Sequence, residues 1–198
     1  MKMTGMAVMV VAATSAWAGT LPAEVRHLTI CMETAPGNLS MENAAKKVAS
    51  GIFADINVKI EWRSPAKCPA EAIYVSFSSQ TPINEHRGAL AYARPYEGTH
   101  IVVFLDRVRC NAPYGIAGLL GYVLTHEVTH ILEGELRHSE TGIMKAEWGA
   151  VEQFKMGQGN LGFAAEDVSL IHKGLDWRVS RLATTSASNP GAEPFAAR

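Results

Sequence analysis

Residues 116–144 read IAGLLGYVLTHEVTHILEGELRHSETGIM. Apolar side chains recur at Ile116, Leu119, Leu120, Val123, Leu124 and Val128, a spacing of three and four that predicts one long buried helix from about Asn111 to Leu132. Gly115, Gly118 and Gly121 share a three-residue spacing, which predicts that this helix lies close against a sheet. Near its end stand His126, Glu127 and His130, the pattern HExxH. Residues four apart share a helix face, so both imidazoles can hold one Zn²⁺ while Glu127 reaches the water on that ion. A catalytic zinc takes a third protein ligand and leaves its fourth position to water. Gly134 stands where the helix can stop, and a turn there brings His138 towards the same ion. Glu147 and Glu152 are spaced to serve as third ligand instead, and Glu133 suits a helix-end or supporting carboxylate. His27, His86, His100 and His172 stand apart from the pattern and read as surface or internally satisfied histidines.

Upstream of this helix the period is that of strands. Short apolar runs at His27–Met32, Asn57–Trp62 and Ala72–Ser78 predict three, with a Pro36-Gly37-Asn38 turn after the first and a helix from Ser40 to Ala54 before the second. Gly88–Arg94, closed by Pro95, predicts an edge strand able to accept an extended peptide, and His100–Val108 a central one. Downstream, Phe163–Arg178 has an acidic start at Glu166-Asp167 and apolar Val168, Leu170, Ile171 and Leu175, which predicts a last helix. Residues 183–198 have no apolar period and predict a disordered tail.

The chain has 198 residues, enough for one ordinary domain, with 18 Lys+Arg against 19 Asp+Glu. That balance, without a basic cluster, argues against nucleic-acid or anionic-membrane binding. At the N-terminus Lys2, the apolar run from Gly5 to Ala13 and Ala16-Trp17-Ala18 predict a signal peptide over residues 1–18, and hence a secreted protein, extracellular or periplasmic. The run is too short to span a bilayer. Of three cysteines, one pair and one free thiol is the simple arithmetic. Three pairings are open, and loop-like contexts favour Cys68 with Cys110, leaving Cys31 in an apolar strand. Oligomeric state is not readable from these features.

The stretch HEVTHILEGELRHSETGIMKA, residues 126–146, resembles the metzincin zinc peptidases: their HExxHxxGxxH signature, then the methionine of the Met-turn, here Met144, with Ser139 after the third histidine as in matrix-metalloprotease-type domains. The order of elements and the segment EDVSLIHKGL, residues 166–175, extend the resemblance over some 150 residues. Two departures stand out. Gly134 and His138 follow His130 by four and eight residues where the family has three and six, and Ala146 stands where some members place a tyrosine. The resemblance implies an α+β, metzincin-like catalytic domain over residues 19–182. Its mixed five-stranded sheet has an antiparallel edge strand, two long helices pack on it, and a third helix sits in a small C-terminal lobe. It implies one Zn²⁺ on His126, His130 and His138, Glu127 as general base, Met144 as an apolar floor, and a peptide or protein substrate for a zinc endopeptidase. The competing readings are a gluzincin-type peptidase using Glu147 or Glu152, and a zinc-stabilised binding module without turnover.

Overall fold

The computed structural model describes residues 24–35, 39–113 and 115–187. The expected signal peptide, the turn at residues 36–38 and residues 188–198 lie outside them. In chain order the elements are β1 (Arg26–Met32), α1 (Leu39–Ala54), β2 (Val58–Arg63), a 3₁₀ turn (Pro65–Lys67), β3 (Ile73–Ser78), β4 (Ala91–Arg94), β5 (His100–Phe104), α2 (Leu105–Cys110), α3 (Ile116–Glu133), α4 (Ala150–Gly157) and α5 (Ala165–Ala187). The five strands form one mixed sheet in the order β2-β1-β3-β5-β4. β1 pairs parallel with β2 and β3, and β3 parallel with β5, whereas β4 pairs antiparallel with β5 and closes that edge. This is the mixed five-stranded sheet with an antiparallel edge that the metzincin resemblance implies.

The long helices α1 and α3 pack on each other, α1 also on β2, and α3 on β4 and β5. Ile30, Phe53, Ile73, Val75, Ile101, Val103, Leu120 and Leu124 are buried between them and the sheet. Gly121 makes the helix pair close: a Cβ there would lie 2.6 Å from Val48 Cβ and 3.0 Å from Ala45 O. The close approach is thus to α1 rather than to the sheet, and at Gly115 and Gly118 a Cβ would meet nothing within 4 Å. α5 crosses the end of α3, where a Cβ on Gly174 would overlap the Leu132 carbonyl. Among the described residues no helix is long and apolar enough to cross a membrane.

Several boundaries differ from the sequence reading, each for a local reason. Asn57 is not in a strand but in the preceding turn at φ 59°, a left-handed conformation asparagine tolerates. The edge strand begins at Ala91 because the Arg107 guanidinium binds the carbonyls of His86 (2.5 Å) and Ala89 (2.7 Å) and draws that segment out of the ladder. β5 stops at Phe104, and the apolar run continues as helix α2, whose Leu105 and Val108 are buried. Helix α4 is only 8 residues long and has no buried residue, so its apolar pattern was too short to announce it. α5 runs on to Ala187, so residues 183–187 of the expected disordered tail are helical.

The disulfide also departs from expectation. Cys31 pairs with Cys68, their Cα atoms 5.7 Å apart, and Cys110 is free and exposed. β2 lies beside β1 with Arg63 opposite Cys31, so the chain leaving β2 carries Cys68 back to β1. Cys110 ends α2, beyond the far strands of the sheet.

Candidate metal centre

The last two turns of α3 bring His126, Glu127 and His130 into the interior, and all three are buried. The helix then stops at Gly134, left-handed at φ 75°, whose N–H donates to His130 O at 3.0 Å. The chain turns back as anticipated. One ligand nitrogen from each of His126, His130 and His138 falls within 4.8 Å of the others, and His138 is the exposed member. Glu152 is engaged elsewhere, accepting from Lys145 Nζ and from the Gly149 N–H at 2.9 Å each, and exposed Glu147 stands outside the trio.

Two of the imidazoles are fixed from behind. His126 Nδ1 lies 2.9 Å from Ile143 O, and His130 Nδ1 lies 3.1 Å from Glu135 O. A carbonyl only accepts, so both Nδ1 atoms carry the proton and both Nε2 atoms present lone pairs. Those Nε2 atoms are 3.1 Å apart with no proton to share. Two lone pairs facing each other at that distance fit a shared cation, for Zn–N bonds of about 2.0–2.1 Å in a tetrahedron set the nitrogens about 3.3 Å apart. Burial, reinforced at His130 by its histidine neighbours, pushes His126 down to about 4 and His130 to about 3, so both are neutral ligands near pH 7. The residues present therefore suit zinc. Burial pushes the Glu127 carboxyl up to about 8, against a hydrogen bond from the Ala93 backbone on β4 that favours the ionised form.

Below the histidines the chain makes a tight turn. Ser139 N–H donates to Met144 O at 2.8 Å, Ile143 N–H to Gly162 O at 3.0 Å, and Met144 is fully buried with Tyr122, Ile143 and Leu161. The Ile143 carbonyl also accepts from Trp148 Nε1 at 3.1 Å, and the Trp148 ring meets His126 edge to face at 5.5 Å. Trp148 went unnoticed in the sequence, since nothing in its spacing marks it.

The histidines open into a cleft of about 730 Å³. One wall is the segment 85–93, including edge strand β4. The floor is α3 with Leu119, Val123 and the HExxH residues, and the far wall is Lys145–Trp148. Of the four histidines outside the motif, His86 lines this cleft, while His172 bonds Ile56 O at 2.7 Å and His100 bonds Thr99 Oγ1 at 2.8 Å.

Beside the cleft lies a charged cluster whose Arg137 was missed by sequence reasoning. Glu133, expected as a helix-end or supporting carboxylate, has a buried side chain that accepts from Arg137 at 3.2 Å, and burial pushes it up to about 7. Arg137 also reaches Asp167 Oδ1 at 2.5 Å and Ser139 Oγ at 3.1 Å. Asp167 was visible only as part of an acidic helix start.

At the level of sequence, no family model matches the chain and no curated protein matches it. Among solved structures, the crystal structure of archaemetzincin from Methanopyrus kandleri superposes with a TM-score of 0.55 at 14% identity, covering 76% of this chain and 96% of that one. At that identity the likeness establishes the fold, which is metzincin-like.

Proposed function

We propose that this chain is a secreted zinc-dependent endopeptidase. The observation that carries the reading is the pair of buried Nε2 lone pairs 3.1 Å apart, with His138 beside them and Glu127 on the same helix turn. The fold shared with archaemetzincin supports a zinc peptidase at a coarse level. The Ala16-Trp17-Ala18 cleavage pattern and the Cys31–Cys68 disulfide support passage through an oxidising compartment.

His126, His130 and His138 would hold one ion, which supplies water activation and polarisation of the scissile carbonyl. A Glu127 carboxylate oxygen takes a proton from the attacking water as its oxygen bonds the carbonyl carbon. The same carboxyl then delivers that proton to the departing amide nitrogen as the C–N bond breaks. The Ala93 hydrogen bond aims the carboxyl and ties it to the strand that borders the cleft. An extended peptide adds to the free edge of β4, and the apolar floor at Leu119 and Val123 receives a side chain. Met144 packs under the site and keeps the Ile143 carbonyl in place for His126.

Metal analysis and a peptide-library cleavage assay test this. Cleavage lost to a chelator and restored by zinc is expected, with Glu127→Ala retaining the metal but losing most turnover. His138→Ala should lower zinc affinity steeply while Glu147→Ala leaves it nearly unchanged. Glu127→Ala cleaving at the parent rate, or the reverse order of those two affinities, would overturn the reading.

A further inference from the structure

The third histidine has no support of its own. His126 and His130 each have a backbone carbonyl behind Nδ1, the usual way a metal-binding imidazole is oriented. Among the described residues no hydrogen bond holds the His138 ring, and it sits at the exposed end of a loop two residues longer than the family pattern. Among the aromatic rings of the described residues, it pairs with the other two imidazoles, at centroid distances of 5.4 Å and 5.0 Å.

The residues on either side of it are tied down instead. Arg137 Nη2 and Ser139 Oγ both donate to Asp167 Oδ1, each at 2.5 Å. The same guanidinium reaches back to Glu133 on α3 at 3.2 Å and across to Ser139 Oγ at 3.1 Å. Asp167 is completely buried, and its second oxygen accepts from the Ala164 N–H just before α5 at 3.2 Å, so the anchor is itself held. Ser139 N–H is held by Met144 O as well. Only residue 138 lies between these two anchored points.

Resting on the zinc reading above, we propose that Arg137 and Ser139, closing on Asp167 from both sides of His138, form a clamp that positions the third metal ligand through the backbone. Arg137 is a positioning residue, for it touches neither the other imidazoles nor the substrate cleft. The clamp replaces the missing bond to the His138 ring. It also couples the third ligand to α5, an element that contributes nothing else to the site. The guanidinium spreads its donors over the cluster, Nη2 serving both Glu133 on α3 and Asp167 on α5 while Nη1 serves Ser139 in the loop, a planar spread that an ammonium's single nitrogen does not reproduce.

Competitive zinc titration of the full mature chain at one pH tests this, with Arg137→Ala, Arg137→Lys, Ser139→Ala and the parent compared. The metal-free thermal midpoint of each is recorded separately. Arg137→Ala should bind zinc 10- to 100-fold more weakly, the range for losing an outer supporting partner. Arg137→Lys should recover part of that loss, because an ammonium still reaches Asp167. Ser139→Ala, which leaves every charge in place, should cost about tenfold. With cobalt in place of zinc, the visible absorption of saturated Arg137→Ala should move towards that of His138→Ala. Cys68→Ser, destabilised elsewhere, should keep the parent spectrum. Parent affinity and parent spectrum in both Arg137→Ala and Ser139→Ala overturn the clamp while leaving the peptidase reading intact. Should Arg137→Ala fail to fold, Ser139→Ala decides alone. A parent chain that binds no zinc removes the peptidase reading and the clamp together.

Discussion

Replacing Glu127 by glutamine should make the metal-free protein more stable. Glu127 is 8% exposed, and burial raises its carboxyl from 4.5 to about 8. A carboxyl whose folded value is raised favours folding while protonated and opposes it once the unfolded chain can ionise. The unfolded state sheds its proton from about pH 4.5 while the folded state holds its own until about pH 8. Across that interval stability falls by about 1.4 kcal/mol per pH unit, which integrates to about 4 kcal/mol by pH 8. Glu127→Gln keeps the shape and has no charge to bury, so it should match the parent near pH 4 and exceed it by about 4 kcal/mol at pH 8. His126 and His130 titrate in the opposite sense, withdrawing stability as pH falls below 6.5, but equally in both proteins. Urea unfolding in chelator at pH 4, 6 and 8 reads the difference, which at a slope of about 2 kcal/mol/M is a midpoint shift of about 2 M at pH 8. Zinc should shrink the gap, since its charge stabilises the carboxylate. Equal stabilities at pH 8 without metal would refute the reasoning, because the carboxyl would then be ionised at no cost.

Other perturbations follow from packing. Breaking the Cys31–Cys68 bridge, which spans 37 residues, should cost about 4 kcal/mol by chain entropy, and Cys110→Ser almost nothing; chemical denaturation of both, with thiol counting under native conditions, distinguishes this pairing from Cys68–Cys110. Gly121→Ala should lose about 1–3 kcal/mol by crowding Val48, whereas Gly118→Ala, with open space around it, should gain about 0.5–1 kcal/mol from helix propensity; thermal melts of the two give opposite signs. Gly174→Ala, aimed at the Leu132 carbonyl, should cost about 3 kcal/mol or more, since a backbone oxygen cannot step aside as a side chain can.

What could be read beforehand followed from strong periodicity. The 3.6-residue pattern of α3 places both imidazoles and the glutamate, and Gly134 marks the stop that returns His138. Pro95 and the glycines around residues 88–98 mark the antiparallel edge. The misses share a cause, which is that the deciding partner lies far along the chain. HIVVFLDRV continues apolar from β5 into α2, and Asp106, whose carboxylate could mark the helix start, bonds Thr81 instead. Helix α4 is amphipathic in sequence but buries nothing fully, so composition could not place it. The cysteine pairing depended on β2 lying next to β1, a neighbourhood fixed by crossover topology rather than by local context. Arg137 carries no pattern of its own in the sequence, because the carboxylate that fixes it arrives on α5, 30 residues further on.

The order in which the ribosome delivers these parts now matters. All three histidines and the glutamate have left the exit tunnel before Asp167, which follows Ser139 by 28 residues, and the contact between Gly174 and Leu132 comes later still. On the zinc reading, a nascent chain ending before α5 carries His126, His130 and His138 with the clamp beside His138 still open, so strong metal capture waits for α5 to dock. On the peptidase reading, that delay keeps the centre incomplete until α5 has docked against α3.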